Sequence, residues 1–174
     1  MSDPKDTAIG PIVSSSHLAD GGAPALSEVE FGMILSHHAF ERWMVRCMTA
    51  AGEPGLTATE ILVLHTVCHR GKPKRLADIC LVLGIEDTHL VTYALKKLEA
   101  KGLLAREKVG KERLIQVSEA GETACQRYRD LREKLLVDGI SELGLSAERM
   151  SEIAHLLRLL SGHYDQAART AASL

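Results

Sequence analysis

The chain has 174 residues, 45% hydrophobic and 25% charged, with a formal charge of -2, a balance suited to one soluble domain or one with helical extensions and too apolar for disorder. No run approaches the ~18–20 consecutive apolar residues of a membrane span, and the opening Met1–Thr7 lacks a basic cluster followed by an apolar core, so neither bilayer nor secretory signal is expected. The separated Cys47, Cys68, Cys80 and Cys125 read as reduced thiols of a cytoplasmic protein, not as a disulfide scaffold.

Residues 1–26, rich in Ser, Gly, Pro, Asp and Ala, read as a flexible arm. Ser27 is expected to cap a helix that runs to Ala51, where Gly52-Glu53-Pro54-Gly55 breaks it. Thr57 or Thr59 starts the next, with Ile61, Leu64, His65 and Cys68 at i, i+3, i+4 and i+7 as a buried stripe. A short helix follows over Leu76–Leu83, with Leu76, Ile79, Cys80 and Leu83 inward. Gly84 turns the chain, and Asp87 or Thr88 caps a helix that runs to Lys101 and stops at Gly102. The period then switches to that of strands, Leu103–Lys108 and Arg113–Val117, joined by a turn at Val109–Glu112. Ser118 caps a long helix with an apolar line of Ala124, Tyr128, Leu131 and Leu135. Ser146 caps the last helix, where Met150, Ile153, Leu157, Leu160 and Tyr164 recur at alternating spacings of three and four, the mark of a seam against another helix.

Two helices around a glycine turn, followed by a hairpin, make a winged helix-turn-helix. In the second of them Val91, Ala94, Leu95 and Leu98 fall on one side, while His89, Thr92, Tyr93 and Lys96 share the other. A hydroxyl, a phenol, an imidazole and an ammonium on one outward face suit hydrogen bonds to base edges in a major groove, with Thr88 at its first turn. Lys97 lies farther round the helix, within reach of phosphates only. Between Arg70 and Arg113 there are 11 Lys and Arg against 6 Asp and Glu, a basic middle between acidic ends, as expected where the middle meets a polyanion.

The segment Val91–Arg106, VTYALKKLEAKGLLAR, resembles the MarR family of bacterial transcription regulators in its Val-Thr, Leu-Glu, Lys-Gly-Leu and following Arg, and the stretch QVSEAG resembles the turn into that family's fifth helix. The likeness covers about Ser27 to Ala168. It implies a mainly α fold with a small β-hairpin wing, divided into a winged helix-turn-helix DNA-binding domain at 56–117, an N-terminal dimerisation helix and loop at 27–55, and C-terminal dimerisation helices at 118–174. It also implies a homodimer that presents one recognition helix to each half of a pseudo-palindromic operator, and a small-molecule pocket, to which Trp43, Cys47 and His65 are the candidate lining. Two features depart from the pattern: Tyr93 stands where relatives commonly place Arg, and the wing is about three residues short, reading Lys108-Val109-Gly110-Lys111-Glu112-Arg113, with Lys111 nearest the usual wing arginine.

Other chemistry is poorly supported. His65, Cys68 and His69 have a spacing that can hold a transition metal, with His37 and His38 as conceivable further donors, yet two of the three lie on the apolar stripe, where a packed imidazole and thiol are ordinary. Neither Cys68 beside Arg70 nor Cys125 beside Arg127 has a distinctive setting for a reactive thiolate. There is no phosphate-binding glycine loop, nucleophile elbow or carboxylate pair, so neither catalysis nor a cofactor or metal is expected. The expected function is a non-enzymatic, homodimeric duplex-DNA-binding regulator, read as a repressor, with a small-molecule effector as a further partner. The alternative is a winged-helix protein–protein interaction module that does not bind DNA.

Overall fold

A computed structural model describes residues 10–109 and 112–174, and the chain divides into two compact units, one ending at Tyr128 and the other beginning at Arg129. In the first unit, α1 is a single turn, Ser16–Ala19, and α2 runs Pro24–Ala50. The expected arm is therefore partly helical. Pro24 sits in the first turn of α2, where its missing N–H leaves no bond unmade. Ser27, expected as the cap, lies one turn inside, buried, with its hydroxyl donating to the Leu18 carbonyl at 2.7 Å.

Helix α3 (Ala58–Cys68) opens with a reciprocal capping box: the Thr57 hydroxyl accepts from the Glu60 N–H and the Glu60 carboxylate accepts from the Thr57 N–H. Ile61, Val63, Leu64 and Val67 are almost wholly buried, which covers more than one face and makes α3 the central helix of the unit. The expected stripe is correspondingly shifted, and His65 and Cys68 are only half-buried. Helix α4 (Leu76–Leu83) has Ile79 and Cys80 buried and ends at Gly84, whose φ of 63° favours a residue without Cβ. Helix α5 (Thr88–Ala100) starts from Asp87, whose carboxylate accepts from the His89 N–H at 2.9 Å. Its inner side, Val91, Ala94, Leu95 and Leu98, packs into the core as its spacing predicts.

Strands β1 (Leu104–Val109) and β2 (Glu112–Val117) pair antiparallel from Leu104 opposite Val117 to Val109 opposite Glu112, so these last two residues belong to the ladder and not to the turn. Lys74 and Ile115 exchange both backbone hydrogen bonds at 2.8 Å, tying the hairpin to the segment before α4. At the start of α6 (Glu119–Arg132) the Ser118 hydroxyl donates to the Gly102 carbonyl at 2.6 Å and accepts from the Gly121 N–H at 3.1 Å. A Cβ at Gly121 would stand 2.1 Å from the Leu103 carbonyl oxygen, so the close approach of α6 to the end of α5 requires glycine. Ala124 and Tyr128 are buried on α6.

The second unit contains the end of α6, a π-type segment over Glu133–Val137, α7 (Asp138–Ser141) and α8 (Ala147–Ala171), capped by Ser146. Leu135, expected to extend the apolar line, is 58% exposed; it falls in the π-type turn, whose extra residue rotates it off the helical phase. None of the described residues of α8 is buried. Among the described residues, no helix is long and apolar enough to cross a membrane.

Candidate nucleic-acid interface

The outer side of α5 is built by helical phase alone: once Val91, Leu95 and Leu98 commit inward, residues about half a turn away must face solvent. Thr88, His89 and Lys96 are exposed, and Tyr93 is 68% exposed. The Lys96 ammonium lies 5.7 Å from the centre of the Tyr93 ring, a cation–π contact that pre-positions both groups on the surface. Leu90, 53% exposed on the same side, was not singled out from sequence. An aliphatic residue one turn before Tyr93 is a signal that helical phase could have supplied.

Thr92 differs from its expected companions. It is half-buried, its hydroxyl donates back to the Thr88 carbonyl at 2.9 Å, and it lines a cavity of about 200 Å³ with Leu76, Leu95, Arg106, Arg113 and Ile115. Its hydroxyl is thus engaged by its own helix, at the border between the exposed face and the wing.

The cations divide into two groups. Lys97, expected to reach phosphate, instead pairs with Glu60 at 2.9 Å and donates to the Gly55 carbonyl at 2.7 Å, which ties α5 to the start of α3. Lys101 pairs with Glu53 at 3.2 Å, Arg75 with Glu112 at 2.9 Å, and Arg106 with Glu99. Glu99 and Glu112 belong to the basic stretch itself, so only the pairs with Glu53 and Glu60 draw on its positive excess. Lys96 makes no ion pair among the described residues. Arg113 is exposed on β2, opposite Lys108 in the ladder. Lys111 and the Lys108 side chain lie outside the described residues.

Of the candidate effector residues, Cys47 and His65 meet through Tyr128, which the sequence reading placed only on a core line. The Cys47 thiol donates to the Tyr128 carbonyl at 3.7 Å, and the His65 ring stands edge-on to the Tyr128 ring with centroids 4.6 Å apart. Burial pushes the Cys47 thiol up and holds the His65 imidazole below its ordinary range, so both are neutral near pH 7. His65 Nε2 and Trp43 Nε1 are both buried without a hydrogen-bond partner. His65 also borders an apolar cavity of about 340 Å³ with Leu62, Thr66, His69, Lys74 and Val82, a lining that contains neither Trp43 nor Cys47. The three candidates therefore do not share that cavity. Among the described residues, no group of three or more His, Cys, Asp or Glu side chains is placed to hold a metal ion.

Comparison with known proteins places this geometry. Residues 56–121 match the family model described as a winged helix DNA-binding domain. Solved structures with the same fold include a mutant MarR from E. coli complexed with operator DNA, 16% identical over 80% of this chain and 98% of that one, with a TM-score of 0.64. A MarR-family transcriptional regulator from Rhodococcus sp. RHA1 is 15% identical over 76% of this chain and 91% of its own, with a TM-score of 0.61. CouR from Rhodococcus jostii RHA1, bound to p-coumaroyl-CoA, is 14% identical over 76% and 90%, with a TM-score of 0.60. No curated protein matches the chain in sequence. Residues 56–121 thus have a winged-helix fold matching that family model, and about four fifths of the chain shares the fold of the MarR structures.

Proposed function

We propose that this protein is a MarR-type, non-enzymatic transcription regulator that binds duplex DNA as a homodimer. The single observation that carries the reading is the division of α5. Its aliphatic side is sealed in the core, and His89, Tyr93 and Lys96 stand exposed on a helix fixed at its start by the Asp87 cap. In this reading Thr88, His89, Leu90 and Tyr93 meet base edges in the major groove, Thr92 and Lys96 flank them, and Lys108, Lys111 and Arg113 bring the wing to phosphate. Lys97 has an internal role at Glu60 and Gly55 and is left out of the contact set.

Dimerisation is supported by α8, where Met150, Ile153 and Leu157 are 40–47% exposed on the side expected as a seam, with Leu160 and Tyr164 half-buried further along it. A second copy of the chain is the proposed cover. An effector, if bound near Trp43 and His65, would find two unsatisfied ring nitrogens to hydrogen-bond and would act only through unequal affinity for the DNA-competent and incompetent dimers. CouR carries an acyl-CoA ligand on the same fold, which makes an organic effector the natural class to screen.

Selection from random duplexes tests the proposal. The regulator reading predicts an enriched motif with two-fold symmetry, bound with an affinity that falls steeply as salt rises. Flat enrichment at low salt would overturn it in favour of a winged-helix module that docks protein partners.

A further inference from the structure

Helix α5 contains no arginine, the side chain that grips guanine O6 and N7 as a bidentate pair. Its polar groups are also partly engaged. The Lys96 ammonium lies 5.7 Å from the centre of the Tyr93 ring, and the Thr92 hydroxyl donates to the Thr88 carbonyl at 2.9 Å. What the first turn of α5 offers instead is aliphatic. Leu90 is 53% exposed, although its neighbours Val91 and Ala94 are sealed in the core. Its N–H donates to the Asp87 carbonyl at 3.1 Å, so it is held within the capped first turn, the part of a recognition helix that reaches base edges. Two residues separate it from Thr92, which puts it on the flank of the helix opposite the one that meets the wing. Tyr93, 68% exposed, follows one turn later.

Resting on the reading of α5 as the recognition helix, we propose that Leu90 is a specificity-determining residue that packs on the 5-methyl group of a thymine, so that each half-site carries a thymine–adenine pair where Leu90 enters the major groove. The thymine methyl is the one apolar group that base pairs present there. Contact with it removes aliphatic surface from water on both partners, which is the gain open to a half-exposed leucine with no polar atom. Cytosine at the same place lacks the methyl and presents an amino donor, which Leu90 would cover without accepting its hydrogen bond. The contact carries no charge. It therefore adds sequence preference and leaves the dependence on salt to the lysines and arginines that reach phosphate.

The test uses the full-length protein and the duplex it selects from random sequence. Each thymine of the motif is replaced in turn by deoxyuridine, which removes the methyl and keeps every hydrogen-bonding group. The expected result is one thymine in each half-site at which uracil lowers wild-type affinity about fourfold, and roughly fifteenfold when both half-sites are changed, the loss of one buried methyl per contact. Leu90→Ala is expected to bind the thymine and uracil duplexes equally, with the salt slope of the wild type. Alanine is the better helix former and Leu90 lies outside the core, so this variant folds, as circular dichroism checks. Three results would overturn the assignment and leave the regulator reading standing: half-sites without thymine, uracil tolerated at every thymine by the wild type, or a methyl effect of wild-type size in Leu90→Ala. Failure to select any two-fold motif would overturn both.

Discussion

The winged domain and the last helix spend their apolar residues in opposite ways. In the first, Ile61, Val63, Leu64, Ile79, Val91 and Leu98 have no exposed surface. In the second, Ile153 and Leu157 are 47% and 43% exposed, and α8 buries none of its described residues. Both regions show clean helical periodicity, so periodicity alone says which side of a helix is apolar and not what covers it. The apolar sides of α3 and α5 are thus covered within the first unit, whereas α8 has an apolar side for which a second copy is the proposed partner.

The largest expected effects come from a pair of substitutions. Leu64→Ala is expected to cost about 2–5 kcal/mol in denaturant unfolding, because it leaves a cavity at the centre of the domain. Leu157→Glu is expected to keep the winged domain folded by circular dichroism and to convert dimer to monomer in sedimentation equilibrium. A Leu157→Glu dimer of wild-type stability would show that α8 is not the seam.

A smaller effect is expected on α5, where the contrast between faces is local. Tyr93→Ala, outside the core, should leave stability nearly unchanged and lose about 1–3 kcal/mol of binding on the preferred duplex while relaxing its sequence. Equal loss on every sequence would show that the phenol reads no base. Neighbouring lysines divide in the same way. Lys96→Ala should lower the salt slope of DNA binding by about one unit. Lys97→Ala should leave that slope intact and instead cost up to about 1 kcal/mol of stability, through loss of the half-exposed pair with Glu60. Denaturant midpoints and salt titrations of both variants separate the two roles.

The smallest expected effect is a pH dependence at His65. Its folded pKa is held below the ordinary 6.5 by burial, so the unfolded chain binds the proton first as pH falls. Stability from this group is therefore full above about 6.5 and declines below it until the folded pKa is passed. His65→Gln should flatten the unfolding midpoint between pH 7 and 5. An unchanged slope would place the pH dependence elsewhere.

The sequence was a good guide wherever local chemistry decides structure. Asp87 and Gly102 bound α5, Thr57 and Glu60 form the α3 cap, and the alternation after Gly102 is a hairpin. It was a poorer guide where long-range contacts decide. Ser27 has the chemistry of a cap, but Pro24 starts α2 earlier and Ser27 turns to the Leu18 carbonyl. Thr92 shares a periodicity with Tyr93, yet the wing closes beside it. Lys97 looked like any exposed cation because Glu60 and Gly55, its partners, lie about forty residues back.

The outward face of α5 is most directly tested by the triple variant His89→Ala, Tyr93→Ala, Lys96→Ala, measured for affinity on the selected duplex and on a scrambled duplex of equal length. With the wild type preferring its own site, the ratio of the two affinities is expected to collapse towards one in a variant that remains folded. Retention of the wild-type ratio would contradict it.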